Sequence, residues 1–280
     1  MSLSARLWGY IRLVHPGPVL LVLAATAVLA VLAVWPELPA GRLALTLAAM
    51  LGGQVAIGAL NEWRDRAADA AQQPDKPIPA GLVSPAGALR LMLAGLALMT
   101  VAGIALGWAA FTVLLIGTGW GLAYDLWFKR TPLSWLPYLG ALPLLPYWAW
   151  LAMGRSEPTL LWLYPLGALY VLAVHLAQSL KDVAGDTALE ERGLAVILGQ
   201  RRSELVIWSA AIGSTLLVAL GAAVLSERPT PAYVASVVVL ALLLGGVLWS
   251  RRHAFDAQLF KLLGGCAIVL TAGWVLSVVR

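Results

Sequence analysis

The sequence predicts an all-α, polytopic membrane protein, and three observations carry that prediction. Of its 280 residues, 61% are hydrophobic and only 12% are charged, far from the composition of a soluble domain. The apolar residues gather into nine stretches, each close to the roughly 20 residues that cross a bilayer core of about 30 Å. The basic residues, finally, collect at alternate ends of those stretches. Disorder and a collagen-like chain are excluded by the apolar fraction and by 27 glycines without a three-residue period, and a disulfide scaffold by the single cysteine, Cys266. Cys266 lies inside an apolar run, where it fills space.

In chain order the predicted spans cover residues 17–35, 42–63, 85–107, 108–126, 133–152, 159–180, 204–225, 231–250 and 258–279. The first run is too long for a cleaved signal core and is read as a retained span. The third and fourth meet at Gly107, which demands a very tight turn; the alternative of eight spans would scramble the charge pattern. With nine, fifteen of the nineteen Lys and Arg fall on the side of the N-terminus, and only Arg42, Arg155, Arg228 and Arg280 fall on the other. Positive charge is retained on the cytoplasmic side, so the N-terminus is predicted to be cytoplasmic, in a multi-pass protein of the cell inner membrane. The net charge of +5 therefore reports topology, and no nucleic-acid partner is expected. Residues 1–280 read as a single domain, with pseudo-repeat halves near 17–152 and 159–279 hinted at by its two acidic clusters. Most of the thirteen tryptophans are explained as interfacial belts.

Ionisable groups beside lipid are costly, which makes the acidic residues the next question. Eleven of the fourteen Asp and Glu fall on the predicted cytoplasmic side, mostly in two clusters that each close an even-numbered span. The first, Asn61 to Asp69, continues the second span without a helix breaker before Pro74. Residues four apart share a helix face, so Asn61, Asp65 and Asp69 form a row of oxygen-bearing side chains about 6 Å apart. Asp182, Asp186 and Glu190 form a second row, although Gly185 ends or loosens that helix and leaves Glu190 uncertain.

Both rows sit at helix C-termini, where the backbone dipole already presents about half a negative charge. Carboxylates there repel each other and the helix end unless a cation lies among them. Hard oxygen donors suit Mg²⁺, which keeps few protein ligands and shares the rest with water and phosphate. The pattern thus points to a magnesium-bridged diphosphate, made a better leaving group by the metal. A solvated loop would explain one such acidic residue. It does not explain two rows of equal spacing that end parallel spans among basic residues. After the first row, three prolines stiffen the loop Gln73–Gly81 and can hold Lys76 over an anion. After the fourth span, Tyr124, Lys129 and Arg130 reach the same surface, where the two cations also fit a role as topology anchors. His15 and His175 have no second His or Cys at ligand spacing, so no haem or zinc site is expected.

These residues resemble the UbiA superfamily of intramembrane prenyltransferases over nearly the whole chain. Asn61–Asp69 resembles the first aspartate-rich motif, followed by Asp75-Lys-Pro-Ile-Pro-Ala-Gly81; Lys181–Asp186 through Gly199 resembles the second motif and its tail. Tyr124–Arg130 is similar to the tyrosine–lysine motif and Arg12–Pro16 to the N-terminal signature. The resemblance implies nine helices around a central cavity, in which Mg²⁺ on the paired motifs holds a polyprenyl diphosphate whose tail lies in the cavity. An isoprenoid chain would pass to an aromatic, tetrapyrrole or lipid acceptor with release of diphosphate. Asn61, Asp65, Asp69, Asp182 and Asp186 are the expected metal and catalytic residues. Arg12, Lys76, Tyr124, Lys129, Lys181 and Arg192 are the expected substrate contacts.

Two departures from the family pattern stand out. Glu62 replaces the usual Asp, and about 100° round the helix from Asn61 it serves a second metal ion or none. Tyr124 and Lys129 are one residue further apart than usual, which on an α-helix turns Lys129 about 140° away. Two other classes compete: a terpene cyclase on the same fold, needing no acceptor, and a secondary transporter, which would place its site near the midplane on broken helices. The sequence is silent on acceptor, prenyl length and oligomeric state.

Overall fold

The computed structural model describes residues 2–180, 183, 193–251, 253 and 257–279. Among these the secondary structure is helical: α1 Leu3–Leu13, α2 Pro16–Val34, α3 Ala40–Gln72, α4 Pro85–Leu106, α5 Trp108–Ala123, α6 Leu136–Ala141, α7 Leu144–Ala152, α8 Leu163–Ser179, α9 Leu194–Leu225, α10 Thr230–Ser250 and α11 Ala257–Val278. A π-helical turn, Tyr124–Phe128, prolongs α5, and a 3₁₀ turn, Pro158–Trp162, leads into α8. Among the described residues eight helices are long and apolar enough to cross a membrane. The protein is a polytopic, all-helical membrane protein.

Eight of the nine predicted spans correspond to these helices, with ends displaced by a few residues except where helices run on. The segment 133–152 differs. It is split into α6 and α7 around Leu142 and Pro143, because a proline has no N–H for the helix ladder and its ring collides with the preceding turn. Hydropathy does not register that break. Helix α3 runs on past its apolar part to Gln72, as the absence of a breaker before Pro74 implies. The join at Gly107 is as tight as expected: its φ of 113° lies where side chains are rarely tolerated, and it serves both α4 and α5 as cap.

The chain divides into two compact units, residues 1–127 with 144–156, and residues 128–143 with 157–280. In the first, α3 and α4 touch through backbone. A Cβ on Gly52 would lie 2.5 Å from Met99 N and 2.6 Å from Gly95 O, the small-residue packing by which helices approach closely in a membrane. Ala49, Met50, Met99, Leu106, Leu114 and Trp148 join α3, α4, α5 and α7 in one core, and the Trp148 indole donates to Ala110 O at 3.0 Å. Trp148 and Trp150 are thus core residues, whereas Trp108, Trp127 and Trp162 are exposed as an interfacial belt requires. Arg42 donates to Leu106 O at 2.7 Å and to Ala152 O, satisfying carbonyls at the ends of α4 and α7.

In the second unit the helices are tied by side chains that reach backbone carbonyls. The Tyr170 hydroxyl donates to Leu263 O at 3.1 Å and Ser214 to Leu166 O at 2.6 Å. Ser134 and His175, both buried, meet at 2.9 Å. Helix α9 is kinked at Gly199, whose φ of 71° is again a glycine conformation.

Candidate active site

The site is assembled at the far end of α3. Because that helix continues for more than two turns beyond Asn61, the row Asn61, Asp65, Asp69 stays on one face and rises 1.5 Å per residue. Asp65 and Asp69 are each only 6% exposed. Two carboxylates buried at the end of an apolar helix are costly unless cations or donors surround them.

Lys76 supplies one such cation. Held in the turn that follows α3, its Nζ lies 2.9 Å from Asp69 Oδ2 and 3.0 Å from Glu62 Oε1. Burial alone would lower its pKa, but the hydrogen bonds and charges of Asp69 and Glu62 outweigh that and raise it above the ordinary 10.5. The prolines on either side, Pro74 and Pro77, fix the turn that aims it.

Glu62 is 1% exposed, and the structure gives it partners the sequence left open. Besides Lys76 it faces His15, whose Nε2 is 3.1 Å from Glu62 Oε1. His15 caps α2 with a φ of 53°, a left-handed conformation that costs a non-glycine residue roughly 1–2 kcal/mol. Glu62 therefore turns toward Lys76 of the loop and His15 of the N-terminal signature, around the helix from Asn61.

Asn61 makes a contact the sequence did not announce. Its Nδ2 donates to Asp125 Oδ1 at 2.8 Å, bringing the π-helical turn of α5 against α3. Asp125 is 5% exposed. Like the two acidic rows, it closes an even-numbered predicted span, which is the signal that could have found it.

The remaining expected residues fall into three groups. Arg12, near the end of α1, reaches Asp75 at 3.4 Å, an exposed ion pair. Tyr124 opens the π-helical turn. The 140° expected between Tyr124 and Lys129 assumes an α-helix throughout, whereas residues 124–128 form a π-helical turn. Lys181, Asp182, Asp186, Glu190 and Arg192, which make up the second motif, lie outside the described residues.

Among the described residues no three or more His, Cys, Asp or Glu side chains converge as a ready-made metal cage. The first row offers oxygen donors only, two buried carboxylates and one amide. Such a set suits a hard dication that completes its shell with water and phosphate, and suits zinc or copper poorly.

Known proteins match this chain along most of its length. The UbiA prenyltransferase family matches residues 20–271. The chain is 30% identical over 201 residues to a digeranylgeranylglyceryl phosphate synthase of Natronomonas pharaonis, covering 71% of this chain and 72% of the relative. It is 32% identical over 150 residues to the diterpene cyclase eriG of Hericium erinaceus, covering 50% of this chain and 46% of that protein. A UbiA homologue of Archaeoglobus fulgidus, solved with GPP and Mg²⁺ bound, superposes with a TM-score of 0.77 at 19% identity, covering 97% of this chain and 100% of the other; it shares the fold. An acidic row closing the long third helix, a lysine loop after it and a profile match over 252 residues (20 to 271) agree: the chain belongs to the UbiA prenyltransferase family.

Proposed function

We infer that this membrane prenyltransferase acts on a polyprenyl diphosphate with magnesium, on the cytoplasmic side of the inner membrane, and passes the isoprenoid chain to a hydrophobic acceptor. The observation that carries the reading is the buried row Asn61, Asp65, Asp69 beside Lys76 at the end of an otherwise apolar helix. Asn61, Asp65 and Asp69, with Asp182 and Asp186 of the second motif, would hold the metal, which when bound neutralises the diphosphate and improves it as a leaving group.

The protein's own groups do the rest. Lys76, paired with Asp69 and Glu62, is the cation beside the row that would contact a diphosphate oxygen. Arg12, Tyr124, Lys129, Lys181 and Arg192 are the further contacts to the phosphates. The C1–O bond of the allylic donor breaks with its electron pair leaving on diphosphate. The acceptor nucleophile then bonds to C1 and gives up its proton. The fifteen-to-four division of basic residues supports the cytoplasmic side.

A second reading, cyclisation without an acceptor, is favoured by the match to a diterpene cyclase. One experiment separates them. Purified protein is incubated with prenyl diphosphates of several lengths, with and without aromatic, tetrapyrrole and glycerophosphate acceptors, in Mg²⁺ or EDTA, and products are resolved by mass. Transfer requires an acceptor-plus-prenyl mass that disappears in EDTA; a cyclase yields hydrocarbon without acceptor. Asp65→Asn is expected to lower turnover at least a hundredfold while the protein remains inserted and monodisperse. Unimpaired turnover in that variant, or metal-independent turnover, rejects the site.

A further inference from the structure

We propose that Asp125 is a positioning residue that fixes the orientation of the Asn61 amide so that its carbonyl oxygen, and not its nitrogen, is presented to the metal ion. The proposal rests on the metal-site reading above and adds to it a residue outside both acidic rows.

An asparagine amide has two nearly isosteric ends of opposite character, one a donor and one an acceptor. At a cation site only the oxygen end is useful, and a reversed amide would aim two N–H groups at the dication. The isolated side chain has little preference between the two orientations. An ionised carboxylate, by contrast, only accepts hydrogen bonds. With Asp125 Oδ1 2.8 Å from the Asn61 nitrogen, the reversed amide would set two oxygens against each other in a partly buried contact, Asp125 itself being 5% exposed. The carboxylate thus selects one orientation, and the planar amide then directs its oxygen away from Asp125. Groups behind the direct ligands commonly fix ligand orientation in this way, and losing them typically costs about 10–100-fold in metal affinity.

The location of Asp125 suits this task. It lies in the π-helical turn Tyr124–Phe128, and such turns, where the regular ladder is broken, are frequent at functional sites. The buried Asp125 carboxylate would also add negative potential near a bound ion without taking a coordination position. An asparagine in the row supplies an oxygen ligand without further charge, which limits repulsion from Asp65 and Asp69, but only if something settles which end of the amide faces inward.

The test uses three full-length proteins in detergent: wild type, Asp125→Asn, and the reciprocal double variant Asn61→Asp with Asp125→Asn. Mn²⁺ binding is read by electron paramagnetic resonance without substrate, and the Mg²⁺ concentration for half-maximal diphosphate release is read in parallel. In Asp125→Asn the partner accepts or donates equally well, so Asn61 loses its imposed orientation; Mn²⁺ affinity is expected to fall about tenfold and the Mg²⁺ requirement to rise by a similar factor. In the double variant the two side chains exchange roles. The amide introduced at position 125 donates to the carboxylate introduced at position 61, leaving that carboxylate's second oxygen for the metal, and affinity is expected to return to within about threefold of wild type.

A residue with a purely structural role would lower stability without moving the metal dependence. Wild-type Mn²⁺ affinity in Asp125→Asn overturns the proposal, as does failure of the double variant to recover. If Asp125→Asn does not fold, the double variant decides alone. A wild-type protein that binds no Mn²⁺ overturns the metal-site reading itself and this proposal with it, a result distinct from the other two.

Discussion

At the scale of the residue, the site is a set of buried charges that hold one another in place. Glu62 and Asp69 share Lys76, and without it two buried carboxylates at the end of α3 would lose their common cation. Removing one member of a buried pair costs roughly 3–5 kcal/mol, because the charge left behind is uncompensated. Lys76 retains some contact with solvent, which puts the loss near the lower end. Lys76→Met is therefore expected to lower the thermal midpoint of the metal-free protein by several degrees, with Mg²⁺ restoring more of it than it adds to wild type. Equal Mg²⁺ shifts in the two proteins would contradict the idea that lysine and metal serve the same carboxylates. The pH dependence has a definite sign. Folding raises the Lys76 pKa above 10.5, so its stabilisation is complete below 10.5 and is lost as pH climbs through the raised value. The difference in midpoint between wild type and Lys76→Met should stay constant from about pH 6 to 9 and shrink only in strong alkali. A loss near neutrality would point to another group.

At the scale of the element, α3 is both apolar span and the arm that carries the acidic row, so whatever fixes it to α4 also fixes the row. The contact at Gly52 is backbone against backbone, with Met99 N and Gly95 O at 2.5 and 2.6 Å from a would-be Cβ. No rotamer change can relieve that. Gly52→Ala must push the helices apart, and both stability and turnover are expected to fall. Gly119 on α5 is the control, since nothing lies within 4 Å of its Cβ position; Gly119→Ala should be neutral or stabilising by up to about 1 kcal/mol, the helix-propensity difference. Similar behaviour of the two variants in a thermal-shift and turnover comparison would refute the close contact. The elements also mark what a sequence can tell. Apolar length located α4 at 85–107 against an observed Pro85–Leu106, and the missing breaker before Pro74 foretold the extension of α3. Helix α1 escaped because eleven amphipathic residues are too few for a span. The division into α6 and α7 escaped because Pro143 is nearly invisible to hydropathy. Spacing along one helix made Asn61, Asp65 and Asp69 legible, whereas the bond from Asn61 to Asp125 bridges 64 residues and depends on how α3 and the end of α5 meet.

At the scale of the whole molecule, the charges follow the membrane rather than the fold. Each of the eight long apolar helices would bury its side chains equally well in either orientation, so packing does not choose which ends face the cytoplasm. The potential across the membrane and the translocation machinery act on Lys and Arg in the short connections, and these stand fifteen to four. With the row and Lys76 on that side, as proposed, the excess would also raise the local concentration of anionic substrate there. The consequence can be checked with thiols. The one native cysteine, Cys266, is 1% exposed and should contribute little background, so single cysteines can be placed in the wild-type chain. Gln73→Cys, beside the row, should react with a membrane-impermeant maleimide in inside-out vesicles and be protected in intact spheroplasts. Ser156→Cys and Glu227→Cys, near Arg155 and Arg228, should show the reverse. Labelling of Gln73→Cys from outside would invert the topology and place the diphosphate site across the membrane from the cytoplasm, whereas agreement of all three positions would fix the side from which substrate must arrive.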